Sequence, residues 1–204
     1  MLKKFENKFG IVSKSKVSND LQPYKSSFPE PVFEVINLYG GITISNGLYR
    51  IHTFESSLTW AKNIEDYFIA YRDLIVPFGF DWMGRQFCMN KQNTQQLYMF
   101  DPSSGEDFEL GQNVLLFHEN DLVDDTDAML SDDLFLEALK WAEVPGLNYD
   151  ECLTPKNSLL LGGEDILEEY EVSDLDVHWH IHDQIYNQIK DLPPGTKINS
   201  IKID

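Results

Sequence analysis

The sequence predicts an α+β protein: a central, mostly antiparallel sheet flanked by helices. Three observations carry this. An Asn46-Gly47 pair sits between β-prone runs, the strongest short hairpin signal, because both central positions of such a turn need positive φ. Three further strand-like runs, 74–80, 84–90 and 96–100, follow with polar turns between them. Segments before and after this meander carry apolar residues at helical spacing. With 204 residues, 42% hydrophobic and 13% aromatic, the chain is long and apolar enough to bury a core.

Taken in order, residues 1–28 are polar and weakly patterned, with one aromatic pair at Phe5 and Phe9, and read as an extension or a short amphipathic helix that packs late or frays. Residues 29–204 contain no Gly- or Pro-rich linker and read as one domain. FPEPVFEVINLYGG is a helix start and stop: Pro31 suits the first turn, Val32, Val35, Ile36 and Tyr39 share a face, and Gly40 or Gly41 ends it. ITISNGLYRIHTF is the hairpin. SLTWAKNIEDYFIAYR places Leu58, Ala61, Ile64, Phe68 and Tyr71 on one helical face. The strands LIVPFGF, GRQFCMN and QLYMF come next, and DPSSGEDF reads as a loop. Further on, Ser131 is placed as the N-cap of a helix running to Trp141, with Asp132 and Asp133 in its first turn. Ser173 to Asp176 has the form of a capping box. It opens a helix with Val177, Ile181, Ile185 and Ile189 as its core face, stopped by Pro193 and Pro194. KINSIKID alternates and reads as a final strand. The doublets Gly40-Gly41 and Gly162-Gly163 are expected to end a helix and a strand. Trp60, Trp82, Trp141 and Trp179 are expected in the core or at its boundary.

Charge is distributed unevenly. Residues 1–100 carry 11 Lys/Arg and 9 Asp/Glu, whereas residues 101–204 carry 5 and 25, so a net of −20 lies in the second half. This argues against binding nucleic acid or an anionic membrane, which both need basic surface. It fits a basic protein partner, a cation, or solubility alone. The acids fall in two dense groups: Glu119, Asp121, Asp124, Asp125, Asp127, Asp132 and Asp133, and then Glu164, Asp165, Glu168 and Glu169, continuing through Glu171, Asp174 and Asp176. No Lys or Arg interrupts either group. DLVDDTDAM alternates acids but lacks the Gly and terminal Glu of an EF-hand loop.

The run His178-Trp179-His180-Ile181-His182 puts His178 and His182 one helical turn apart, the spacing of two metal ligands. It lacks the Glu of the helical zinc-protease motif, carrying Trp179 there instead. The reading with more weight is surface or boundary histidines on an acidic helix. No nucleophile elbow, Walker loop or dinucleotide glycine pattern is present. Cys88 and Cys152 read as free buried thiols of a reducing compartment, with a disulfide between them left open. The first residues lack an apolar h-region and no run approaches a membrane span, so the expected location is the cytoplasm. The residues assign no catalytic group, no metal and no cofactor.

Two stretches carry a resemblance. FPEPVFEVINLYGGITISNGLYRIHTF resembles the opening of SUKH-superfamily domains: a Pro-flanked helix, a Gly-Gly stop and paired strands. PFGFDWMGRQF, then LYMFDPSSGE and LLLGGEDILEEYEVSDLDVHWHIHDQI, resemble the GAD-like and Tdi-type immunity proteins of bacterial type VI secretion. The likeness spans about residues 29–192 and rests on structural rather than catalytic motifs. PKNSLLLGG departs from it, being followed by EDILEEYEVSD where an Asn-Leu-Glu type sequence is expected. In those families a predicted helix follows and ends near a Gln, here Gln184. The resemblance implies a SUKH-like domain that binds and blocks a cognate toxin, often a nuclease. Alternatives are a regulatory or scaffold module of the same type, or a metal-dependent hydrolase using His178 and His182. The acids of the two groups are the expected partner-binding residues, because a toxin that holds phosphate is basic at that site.

Overall fold

The computed structural model describes residues 1–12, 22–111, 113–193 and 195–203. Its elements are α1 (Lys3–Phe9), α2 (Gln22–Lys25), α3 (Glu30–Tyr39), β1 (Thr43–Ile44), β2 (Tyr49–Ile51), α4 (Phe54–Tyr67), β3 (Ile75–Asp81), β4 (Gln86–Asn90), β5 (Gln96–Asp101) and β6 (Glu106–Gly111). There follow α5 (Val114–Leu116), a π turn (Phe117–Asp121), α6 (Leu122–Asp124), α7 (Thr126–Leu130), α8 (Asp132–Trp141), β7 (Glu151–Pro155), β8 (Tyr170–Asp174) and α9 (Leu175–Ile189). The architecture is α+β. β1 to β6 form an antiparallel meander in sequence order, and β7 pairs with β8 in a small second sheet.

The meander is buried on both faces at its centre, where every residue of β2 and β3 is inaccessible. One face carries Val76, Phe78, Phe87 and Met89 against α1, α3 and the α5–α8 region. The other carries Ile75, Phe80, Cys88 and Phe100 against α4 and α9. Strict alternation would put Phe78 and Phe80 on the same face. They point to opposite faces because β3 holds one extra residue between Pro77 and Gly79, a bulge opposite Phe87 and Cys88. Gly79 is required there: a Cβ would run into the Tyr49 hydroxyl.

The stop after α3 and the hairpin are as expected, and several later expectations are corrected. Gly40 is extended (φ −53°) and Gly41 supplies the positive φ of 79° after α3. The Asn46-Gly47 hairpin forms, with Ser45, Asn46 and Gly47 all at positive φ and Ile44 paired to Tyr49. α4 begins earlier than read, because the Thr53 hydroxyl accepts from Ser56 N (3.1 Å). Its buried face is therefore Phe54, Ser57, Trp60, Ile64 and Tyr67, leaving Leu58 exposed. The segment read as a loop at 101–108 is a tight turn ending at Gly105, followed by β6, which was missed because it is an edge strand with almost no burial. Ser131 adopts a left-handed φ of 52° and makes no cap bond. Asp174, not Ser173, caps α9, accepting from Asp176 N and Val177 N. The acid-rich stretch before it contains a 3₁₀ turn (Leu167–Glu169) and β8. Gly162 follows a 3₁₀ turn, Leu159–Leu161, rather than a strand. Residues 196–203 form no strand. Instead the Gln188 side-chain amide brackets Lys202, donating to its carbonyl (2.8 Å) and accepting from its N–H (3.2 Å).

α1 is docked rather than frayed: Phe5 is fully buried against Tyr39 and His118. No helix among the described residues is long and apolar enough to cross a membrane.

Candidate protein-binding surface

The end of the first acidic group, on α8, and the segment that carries the second are joined by one buried indole. Trp82 follows β3 and is completely inaccessible. Its Nε1 donates to Leu130 O at the end of α7 (2.7 Å), its ring packs on Phe135 of α8 (5.4 Å between centroids), and on its other side lies Tyr170 of β8 (6.0 Å). Its carbonyl accepts from Leu153 N, fixing β7 as well. The 3₁₀ turn Leu167–Glu169 consequently packs on α8. Arg50 adds a second tie between the sheets. Its buried guanidinium donates to Asp81 O (2.9 Å), Asn148 O (3.1 Å) and Glu151 O. Burial lowers its pKa to about 10, so it stays charged at neutral pH.

The individual acids differ in what they do. Glu119 accepts from the backbone N–H groups of Lys4 (3.0 Å) and Phe5 (3.5 Å), so it serves the N-terminus of α1. Lys4 reaches Asn120 Oδ1, and Lys8 reaches Val123 O and Thr126 Oγ1, so α1 brings cations to this part of the acidic region. Sequence spacing alone could not show that relief. Asp121 is half-buried, and burial, then Asp124, pushes its carboxyl up. Asp124, Asp125 and Asp127 are exposed, and Asp125 caps α7 by accepting from Ala128 N (3.3 Å). Asp132 is half-buried and Asp133 exposed in the first turn of α8. In the other group, Glu164 and Glu168 are exposed, Asp165 is exposed and accepts the Tyr170 hydroxyl (2.7 Å), and Glu169 is half-buried and accepts from Asn157 (3.3 Å).

Ion pairing separates the halves of the chain. Among the described residues, the acids that pair are Glu6, Glu65, Asp66 and Asp81, all from the first half. Neither acidic group supplies a partner to any of these bridges.

Sequence reading missed the apolar component of this surface. The outer face of α8 exposes Leu134 (37%), Leu136 (53%) and Trp141 (57%), between Asp133, Glu137 and Lys140. Trp60, Trp82 and Trp179 are buried as expected, but Trp141 is not. The signal is in the wheel: Phe135, Ala138 and Leu139 take the core side of α8, which leaves Trp141, beside Leu134, on a flank away from the core.

The histidines are placed differently from the surface reading. His178 and His182 are buried, at 2% and 5% exposure, while His180 is exposed. The Val177 and Ile181 face that was assigned to the core is exposed and half-buried instead. His182 Nδ1 donates to His178 O (2.8 Å), the rings lie 4.4 Å apart, and His178 Nδ1 and His182 Nε2 have no hydrogen-bond partner. Burial, then the proximity of His182, drives the His178 pKa well down; burial lowers that of His182. The pair is a neutral part of the core. Among the described residues no group of three or more His, Cys, Asp or Glu is placed to hold a metal ion. Asp66, Asp176 and Asp183 line a polar cleft between α4 and α9 with Asn63 and His180, and Asn63 donates to Asp176 (3.0 Å).

His52 bonds to Ser56 Oγ (2.7 Å) and Gln86 Oε1 (2.9 Å), an order that superficially matches a nucleophile, a base and an orienting group. The third member is a neutral amide, whose acceptor oxygen only partly offsets the burial that holds His52 down to about 4, so the ring stays neutral. This is a buried link between α4 and β4. Both cysteines are free, buried and pushed up in pKa by burial, which keeps them as thiols.

No family model matches the chain, and no curated protein matches it. The crystal structure of Atu4351 from Agrobacterium tumefaciens is similar, with a TM-score of 0.64 and 16% identity over 90% of this chain and 89% of that one. At that identity the likeness is one of fold.

Proposed function

We propose that this is a binding protein of the immunity type, acting in the cytoplasm, which holds and blocks a basic toxin, a nuclease being the expected class. The observation that carries this reading is the unpaired acidic surface. Trp82 packs on both Phe135 of α8 and Tyr170 of β8, so Asp132 and Asp133 of α8 and the acids just before β8 lie on adjoining elements, and among the described residues the ion pairs are made by other acids. Uncompensated like charge at one place costs stability through self-repulsion and raises the rate of encounter with a cationic partner. A nuclease groove that binds phosphate presents the complementary charge. The motifs shared with SUKH, GAD-like and Tdi-type proteins support the same reading, as do two buried free thiols suited to a reducing compartment.

The test is co-expression with the product of the adjacent gene, followed by purification at low and high salt. A stoichiometric complex that weakens as salt rises, together with loss of the partner's toxicity, is the expected result. The Debye length falls from about 10 Å at 0.1 M salt to about 3 Å at 1 M, so a charge-steered complex responds across that range. Absence of any complex, or one indifferent to reversal of Asp133, Glu164 and Glu168, refutes the reading.

A further inference from the structure

The binding reading leaves open where on the acidic region a partner is held, and acids alone steer better than they anchor. Interfaces are anchored by large apolar or aromatic side chains that enter a pocket and exclude water, with Trp foremost among them. One side chain of that kind projects from the acidic region. Trp141 is 57% exposed in the last turn of α8. The chain leaves the helix immediately after it: Glu143 adopts a φ of 55° and Val144 N bonds back to Leu139 O (3.1 Å), so no following segment folds over the indole.

Trp141 is not isolated. Leu134 lies seven residues earlier on the same side of the helix, with Glu137 between them. Leu136, 53% exposed, lies on the other flank of α8 and borders a separate groove of ≈ 290 Å³ that also contains Lys8 and Phe9 of α1, Leu48 and Asp132. Ile166, 42% exposed, directly precedes the 3₁₀ turn that packs on α8. Around Trp141 and Leu134 the charge is acidic, Asp133, Glu137 and Glu143 against Lys140 on α8, with Glu168 on the 3₁₀ turn that packs on the helix, whereas the groove at Leu136 also holds Lys8. An apolar centre with a charged rim is the anatomy of a protein interface.

The rim selects the occupant. A second copy of this chain would bring the same acids against themselves, and nucleic acid or anionic lipid would be repelled. We propose that the outer face of α8, with Trp141 as its anchor, seats in an apolar pocket rimmed by Lys or Arg on the protein partner. This rests on the binding function proposed above and names the surface that carries it.

The other three tryptophans are at most 8% exposed, so Trp141 is the indole that an aqueous quencher reaches. The experiment uses the full chain and the product of the adjacent gene, the partner's own tryptophans being replaced by phenylalanine. Acrylamide quenching is measured with and without this partner, and affinity is measured for wild type, Trp141→Ala, Leu134→Ser and Ile69→Ser. Ile69 is equally exposed (53%) in the turn after α4 and serves as a control for general stickiness. Expected are a fall in quenching on complex formation, about thirtyfold weaker binding by Trp141→Ala, a smaller loss for Leu134→Ser, and none for Ile69→Ser. A complex that forms while Trp141 stays quenchable, or that Trp141→Ala leaves at wild-type affinity, overturns the surface and leaves the binding function standing. A wild-type chain that forms no complex overturns both. Unchanged melting of Trp141→Ala separates lost contact from lost fold.

Discussion

Acidification should unfold this protein by charging histidines that the fold keeps neutral. His52 and His118 are wholly inaccessible. His52 is enclosed by Ser56, Gln86 and the Phe80 ring. His118 touches Tyr49, Val114 O and the rings of Phe5, Phe78 and Phe117, with no carboxylate in contact. Burial lowers each from 6.5 to about 4. Between those values the unfolded chain binds a proton that the folded chain refuses, so stability is present above pH 6.5 and is lost as pH falls toward 4. From pH 7 to pH 5 each histidine removes about 2 kcal/mol, together about 4 kcal/mol, out of a typical 5–15 kcal/mol. His178 and His182, also depressed, act in the same direction. Carboxyls that burial pushes up, Asp81, Asp121 and Asp183, act with the opposite sign, so the histidine share is isolated by comparing variants. Urea titrations followed by tryptophan fluorescence at pH 7, 6 and 5 should show the midpoint falling. His118→Gln and His52→Gln, each less stable than wild type at pH 7, should lose about 2 kcal/mol less over that range. A variant that keeps the full wild-type pH dependence refutes the argument.

Four further outcomes follow from packing, edges and capping. Trp82→Phe removes the donor to Leu130 O and should cost about 1–3 kcal/mol in thermal or urea unfolding, with hydrogen exchange rising in both α8 and β8, which the indole joins. Gly79→Ala should destabilise by about 1–3 kcal/mol, because the new methyl meets the buried Tyr49 hydroxyl; unchanged melting would place the bulge elsewhere. β6 is an exposed sheet edge carrying Glu106, Asp107 and Glu109, and replacing Glu106 and Glu109 by Thr should produce strand-mediated self-association visible in sedimentation velocity. Glu119→Ala should free the start of α1 at a cost of about 1 kcal/mol, seen as faster amide exchange at Lys4 and Phe5.

The legible parts of this fold are those where one local preference decides the outcome. The α+β class, α3 with its core face, the Asn46-Gly47 hairpin, and strands β3 to β5 all follow from turn chemistry and hydrophobic period. β6 is hard to read because its alternation is only Phe108 and Leu110 among acids, with Leu110 alone partly buried, and β8 because Glu171, Val172 and Asp174 are exposed and only Tyr170 is buried. The phase of α9 was misread for a related reason. Its Ile and Val spacing fits a core face, yet the protein buries His178, Trp179 and His182 beside the sheet, with Trp179 Nε1 bonded to Gly84 O (2.8 Å). Two histidines are neutral enough to sit in a core once their pKa values are depressed, and hydropathy does not register that option. The sequence also determined that the second half is acidic. Which acids are spent on the fold, such as Glu119 and Asp125, and which stand free beside Trp141 was decided by tertiary structure alone. The physical reason is that Trp82 packs on both Phe135 of α8 and Tyr170 of β8, a contact invisible in linear spacing that sets α8, which carries the exposed Trp141, beside the segment that carries the second acidic group.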